Sequence, residues 1–205
     1  WYSPWPRISF SDFSGWDEVV AWALPHYTSN QSPAPEIQSI AKQISTSHES
    51  TASRVAEALH FVQREVRYLG LAMGIGSHVP TPPEVTLQRR YGDCKAKTLL
   101  LLSILDALDV EAYAVLVNTR YGKVLEDDGA QISAFDHVIV QANVDGTTYW
   151  LDPTLNDQKG ELDAISQPDY DLALVIRPGS DKLVPMGMDQ GLSRRVVDEF
   201  LDLRA

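Results

Sequence analysis

Cysteine is nearly absent from this 205-residue chain, which carries only Cys94. A single thiol excludes an internal disulfide and any zinc or iron–sulfur site built on several cysteines. Long hydrophobic runs are also missing. The longest wholly apolar stretches, such as 99–102 and 112–117, are far too short to cross a bilayer. Positive charge is scarce, with 17 Lys plus Arg against 28 Asp plus Glu and a formal net charge of −11. A surface of that sign repels phosphate backbones and argues against nucleic-acid or anionic-membrane partners. Between Tyr121 and Ala173 only Lys123 and Lys159 are basic, against eleven carboxylates from Glu126 to Asp171. This late concentration of acid predicts a preference for neutral or basic substrates. No signal peptide is visible, and the chain begins at Trp1 rather than Met. The expectation is a piece processed or cut from a longer protein, any targeting segment having been removed.

What is present suits a folded domain: 44% hydrophobic and 22% charged residues support a sizeable core. Residues 1–13, rich in Pro and aromatics, read as an extended arm packing onto the body. Residues 14–185 read as the domain, and 186–205 as a C-terminal segment that starts a following β-region. Ser14 stands where an N-cap belongs, ahead of a helical stripe of Trp16, Val19, Val20 and Ala23, with Pro25 marking the end. Ile37, Ile40, Ala41 and Ile44 predict a second helix. Val55, Leu59, Val62 and Val66 predict a third. Residues 70–83, with Gly, Ser and Pro but little periodicity, read as a loop and a candidate cleft wall. A short helical piece at 85–89 precedes Tyr91-Gly92-Asp93-Cys94, and residues 96–108 are apolar nearly all round, the mark of a central helix.

From Glu111 the period changes to that of strands. Residues 112–117 form a buried-strand run, 138–144 alternate, and Asp145-Gly146 separates them from 147–151. Asp-Gly between two such runs is a strong hairpin signal. Residues 172–176 predict a further strand, and 194–203 lean towards strand over helix. Helices first and antiparallel strands afterwards make an α+β fold.

Asp93 as N-cap would put Cys94 in the first turn of the central helix, where free N–H groups and the helix dipole favour a thiolate and can stabilise an oxyanion. Lys95 and Lys97 add charge, and Gly92 allows close backbone approach. The competing reading is a small buried hydrophobe. A nucleophilic thiol needs a base, and the base an orienting group. His26, His48 and His60 lie near helix ends, in polar sequence or on a helix boundary, and His78 sits in the loop. His137 differs, because it opens a strand that holds the ring rigidly. With Asp145 and Gly146 as the central turn residues, Val144 faces Thr147, Ile139 faces Asp152 and His137 faces Thr154. His137 and Asp152 then share a face as diagonal neighbours, about 7–8 Å apart at Cα. A slip of one residue would separate them. Otherwise Asp152 merely caps the turn before Pro153.

Tyr91-Gly92-Asp93-Cys94-Lys95, Asp136-His137-Val138 and Tyr149-Trp150-Leu151-Asp152-Pro153-Thr154 resemble, in order and spacing, the three motifs of the transglutaminase-like core family. The resemblance covers roughly residues 54–157. The opening, through Trp16-Asp17-Glu18-Val19, is similar to bacterial proteins in which an uncharacterised N-terminal β-domain precedes this core. The resemblance implies a papain-like site on an α+β fold, with N-terminal helices packed on an antiparallel sheet. Cys94 would be nucleophile, His137 base and then acid, and Asp152 the orienting group.

It also implies an acyl transferase or hydrolase acting on a peptide or protein substrate through a thioester, with no metal or organic cofactor. Bacterial members are described as cysteine proteases or amide-processing enzymes, and some relatives join glutamine to lysine. Gln88, six residues before Cys94, matches the position of a papain-type oxyanion-hole glutamine. Tyr91 and Trp150 are candidates for the groove wall, Trp150 alternatively being a core aromatic. Export to the periplasm is implied by analogy. The family motif reads Gly-Asp-Cys-Lys-Asp where this chain has Ala96, read either as drift on a helix surface or as relaxed selection on activity. The alternatives to an enzyme are a catalytically silent peptide- or protein-binding domain and a redox-sensing thiol. The last has no second cysteine to resolve a sulfenic acid.

Overall fold

In the computed structural model, residues 8–28, 32–70, 74–156 and 158–187 are described. Three amphipathic helices open the chain, α1 (Trp16–Tyr27), α2 (Pro35–Ser47) and α3 (Thr51–Glu65). They bury the expected stripes: Val19, Val20 and Ala23; Ile37, Ala41 and Ile44; Val55, Leu59 and Val62. The start of α1 differs from expectation. Its N-cap is Gly15 rather than Ser14, and the Ser14 N–H instead donates to Glu18 Oε2 at 2.7 Å. Pro25 does not end the helix but sits inside its last turn. The Thr28 N–H closes the end on the Leu24 carbonyl. A proline so close to the terminus sacrifices one backbone bond, which the buried face outweighs. The opening arm is only partly packed. Phe13 meets the core and Ser11 Oγ donates to the Ala130 carbonyl, but Ile8 and Phe10 are exposed.

The two-residue strands β1 (Arg67–Tyr68) and β2 (Tyr91–Gly92) pair in parallel, flanking a 3₁₀ turn at Gly74–Ser77 and the helix α4 (Pro83–Arg89). Helix α5 (Cys94–Ala107) follows and is buried nearly all round, with Leu100, Leu101, Ile104 and Leu105 at 0% exposure. Each such side chain is worth about 1.5–3 kcal/mol on burial. It packs against α2, α3 and α4 on one side and the sheet on the other.

The sheet holds β3 (Ala112–Val117), β4 (His137–Val144), β5 (Thr147–Leu151), β6 (Leu172–Ile176) and β7 (Val184–Pro185), in the order β5-β4-β3-β6-β7 and antiparallel throughout. A four-residue helix, α6 (Leu125–Asp128), lies in the β3–β4 connection. β4 does not show the alternating exposure its sequence predicts. The helical layer covers Val138, Val140, Ala142 and Val144, and a second apolar cluster with Val115, Trp150, Val175 and Met186 covers Ile139. The α+β fold is the one expected. The strand leaning at 194–203 and residues 1–7 of the arm lie outside the described residues. Among those described, no helix is long and apolar enough to cross a membrane.

Candidate active site

The start of α5 delivers the sulfur. Asp93 caps the helix as expected: its Oδ1 accepts the Ala96 N–H at 2.9 Å and its carbonyl accepts that of Lys97 at 3.0 Å. Cys94 is therefore the first helical residue, half-buried, at the positive end of the helix. The two lysines are already engaged. Lys95 Nζ is ion-paired to Asp93, and the fully buried Lys97 donates to the Val66 carbonyl. Burial lowers the Lys97 pKa to about 8, against the opposing pull of Asp152.

Ala96 is 1% exposed. A Cβ added to Gly92 would stand 2.8 Å from the Ala96 Cβ and 3.2 Å from Thr86 Cγ2. The close approach that requires glycine here is to the chain's own helix. The departure from the family motif thus sits at a packed, interior position, and the reading as drift on a helix surface fails.

β4 delivers the ring. His137 is its first residue, paired with Val117, and Thr98 Oγ1 on α5 donates to the Val138 carbonyl at 3.1 Å. That bond holds the start of β4 one turn along from Cys94. The Asp145-Gly146 turn sets the expected register, Val144 opposite Thr147, with both turn residues at positive φ. The ladder ends at Val140–Leu151, so the further pairs expected for Asp152 and Thr154 are not ladder pairs. The side chains meet nonetheless: His137 Nε2 and Asp152 Oδ2 are 2.8 Å apart. With Nε2 committed to the carboxylate, Nδ1 is the ring nitrogen left for another partner, and Cys94 stands near enough to act on the ring's charge.

Burial opposes a charge on His137, but the hydrogen bonds and negative charges of Asp152 and Cys94 overcome it and raise its pKa to about 10. Asp152 is 1% exposed. Burial pushes its carboxyl up, while His137 and the Thr154 hydroxyl and N–H pull harder and hold it below the ordinary value. The arrangement is a buried ion pair in which the ring stays protonated through neutral pH.

Cys94 and His137 line one cavity of about 150 Å³ with Trp22, Tyr27 and His78. Ser77 and His78 bring the expected loop wall to it, and His78 stacks edge-on against Trp22 at 5.7 Å. Gln88 is not brought there. It is exposed on α4 and lines neither this cavity nor the larger groove nearby. Tyr91 is 41% exposed and lines that larger groove instead. Trp150 is 5% exposed and packed in the cluster on the sheet's other face, its Nε1 donating to the Met186 carbonyl at 2.7 Å. It takes the place of a core aromatic.

Three residues that hold Asp152, two by its carboxylate and one by its backbone carbonyl, were not singled out by the sequence. Thr154 donates to Asp152 Oδ1 from its N–H (2.8 Å) and its hydroxyl (2.7 Å), an arrangement the Asp-Pro-Thr run could have suggested. Tyr170 donates to Oδ2 at 3.3 Å, with its ring edge-on to His137 at 6.0 Å. Gln63 Nε2, from α3, donates to the Asp152 carbonyl at 3.0 Å. Tyr170 and Gln63 lie 18 and 89 residues away along the chain, with no local pattern to mark them.

No protein-family model matches the chain, and no curated protein does. Solved structures do. A "putative protease" from Parabacteroides distasonis matches at TM-score 0.63 and 15% identity over 84% of this chain and 31% of its own. A "putative cysteine protease" from Cytophaga hutchinsonii matches at TM-score 0.45 and 17% identity, over 64% of this chain and 42% of its own. A structure described as a TGase matches at TM-score 0.45 and 14% identity, over 70% and 39%. The chain spans less than half the length of each. At these identities the likeness is one of fold. In this chain that fold has a central helix beginning at Cys94 and packed on an antiparallel sheet.

Proposed function

We propose that this domain catalyses thiol-dependent acyl transfer at a peptide or glutamine-type carboxamide bond, with Cys94 as nucleophile, His137 as proton carrier and Asp152 as orienting carboxylate. The observation that carries the proposal is the 2.8 Å pair between His137 Nε2 and the buried Asp152 carboxylate, which leaves the other ring nitrogen available in the cavity that Cys94 also lines. A ring held protonated beside a sulfur at a helix N-terminus favours the thiolate.

The thiolate attacks the substrate carbonyl carbon. The resulting oxyanion is met by the N–H groups of the first helical turn, since the Asp93 cap commits only those of Ala96 and Lys97. The imidazolium passes its proton to the departing amine nitrogen, and a thioester remains on Cys94. The neutral ring then takes a proton from water or an incoming amine as that nucleophile attacks the thioester. Thiolate and imidazolium are restored, and the product is an acid or a new amide. No metal or organic cofactor enters this chemistry.

The test is iodoacetamide alkylation across pH 5–9. Cys94 is expected to react at pH 6 about tenfold or more faster than a free cysteine thiol, and His137→Ala to abolish the advantage. Unaccelerated alkylation that ignores the His137 change would leave the fold as a binding module and refute the enzyme.

A further inference from the structure

Near the site lies a second, larger groove of about 1100 Å³, and its described lining reverses the charge balance of the chain. Arg64, Arg67, Arg89, Arg90 and Lys159 face it, against a single described carboxylate, Glu65. That carboxylate is already paired, to Arg64 Nε at 3.2 Å and Arg90 at 3.0 Å. Among the described residues no carboxylate lies within ion-pair distance of Arg67, Arg89 or Lys159. On a chain of net charge −11, clustered cations without partners repel one another until an anion joins them.

The groove and the cavity that holds Cys94 share no lining residue, but the strands bordering the groove join it to the start of α5. Tyr68 and Tyr91, both exposed, sit on the groove's lining in the paired strands β1 and β2, and β2 runs through Asp93 directly into Cys94.

We infer that this groove receives the flank of the acyl donor and selects peptides carrying carboxylates beside the reacting bond. The inference rests on the acyl-transfer reading and adds the substrate class to it. It runs opposite to the preference for neutral or basic substrates that the acidic late segment suggests, because that segment supplies none of the groove's described carboxylates.

Fluorescein-labelled octapeptides of alternating Glu-Gly, Gln-Gly and Lys-Gly, titrated with the whole chain and followed by anisotropy, test it. The Glu peptide is expected to bind about tenfold or more tighter than the Gln peptide at 50 mM salt, with the advantage shrinking at 300 mM as exposed charges are screened. In Arg67→Gln/Arg89→Gln the Glu-to-Gln affinity ratio is expected to fall towards one. Equal binding of all three peptides, an undiminished ratio in the double variant, or a single-stranded DNA decamer binding more tightly than the Glu peptide would each overturn the inference. The readout needs no reactive thiol. A silent Cys94 together with a full Glu preference would therefore sink the enzyme and support the groove, whereas turnover without that preference would do the reverse.

Discussion

Replacing Asp152 by Asn removes one charge while keeping the shape of a side chain that is 1% exposed. Oδ1 stays bound to Thr154, whose N–H and hydroxyl both donate to it. The new amide nitrogen then falls where Oδ2 accepted from His137 Nε2 and Tyr170. Two donors now face a donor, so the ring must surrender its Nε2 proton and keep one on Nδ1, the nitrogen the proposal assigns to the sulfur. In the wild type the ring is raised from 6.5 to about 10, which corresponds to about 5 kcal/mol at roughly 1.36 kcal/mol per pKa unit. That figure is net of the burial that opposes the charge, so Asp152 and Cys94 together contribute at least as much. Losing about half of it, about 2.5 kcal/mol, predicts a fall of about 10- to 100-fold in the reactive ion pair at pH 6. The assay is the second-order rate of alkylation at pH 6, with near-ultraviolet circular dichroism confirming a native fold. An Asp152→Asn variant of native spectrum that alkylates at the wild-type rate would refute the reasoning.

Stability should also depend on pH through the same pair. A His pKa raised above its unfolded value contributes stability that is complete below about 6.5 and is lost as pH climbs through about 10. Urea melts at pH 6.5 and 10 should show that loss in the wild type and a flatter profile in His137→Ala. The lowered carboxyl of Asp152 works in the other direction, its stability fading as pH drops below 3.8. Gly92→Ala should destabilise by about 1–3 kcal/mol through overpacking against Ala96, read as a lower urea midpoint at unchanged slope. Asp93→Ala should cost about 1 kcal/mol by uncapping α5, again read by urea melt. Tyr170→Phe removes one donor from Asp152 and should slow pH 6 alkylation by less than Asp152→Asn does, a ranking the same assay checks.

The helical layer was legible because Val55, Leu59 and Val62 repeat at the helical period and nothing local contradicts them. The meeting of His137 with Asp152 was legible for a different reason. A two-residue Asp-Gly turn fixes the register of everything beyond it, and an even offset puts both side chains on one face. The rest lay beyond local pattern. Two-residue strands such as β1 and β2 have no periodicity to read, and the groove they border is built from residues scattered from His60 to Gly160. Trp150 could not be assigned to core or groove until the Met186 carbonyl was seen covering its face of the sheet. The charge of the groove was hidden by the composition, since an average of −11 says nothing about where 17 cations gather.

The thioester itself can be weighed. Incubating the protein with a defined peptide library and measuring intact mass should show an adduct equal to the donor's acyl portion, located on Cys94 and missing from Cys94→Ala. The adduct should decay when water or an amine is allowed to complete the turnover. A wild-type mass that stays unchanged across the library, while the thiol still alkylates readily, would contradict the account.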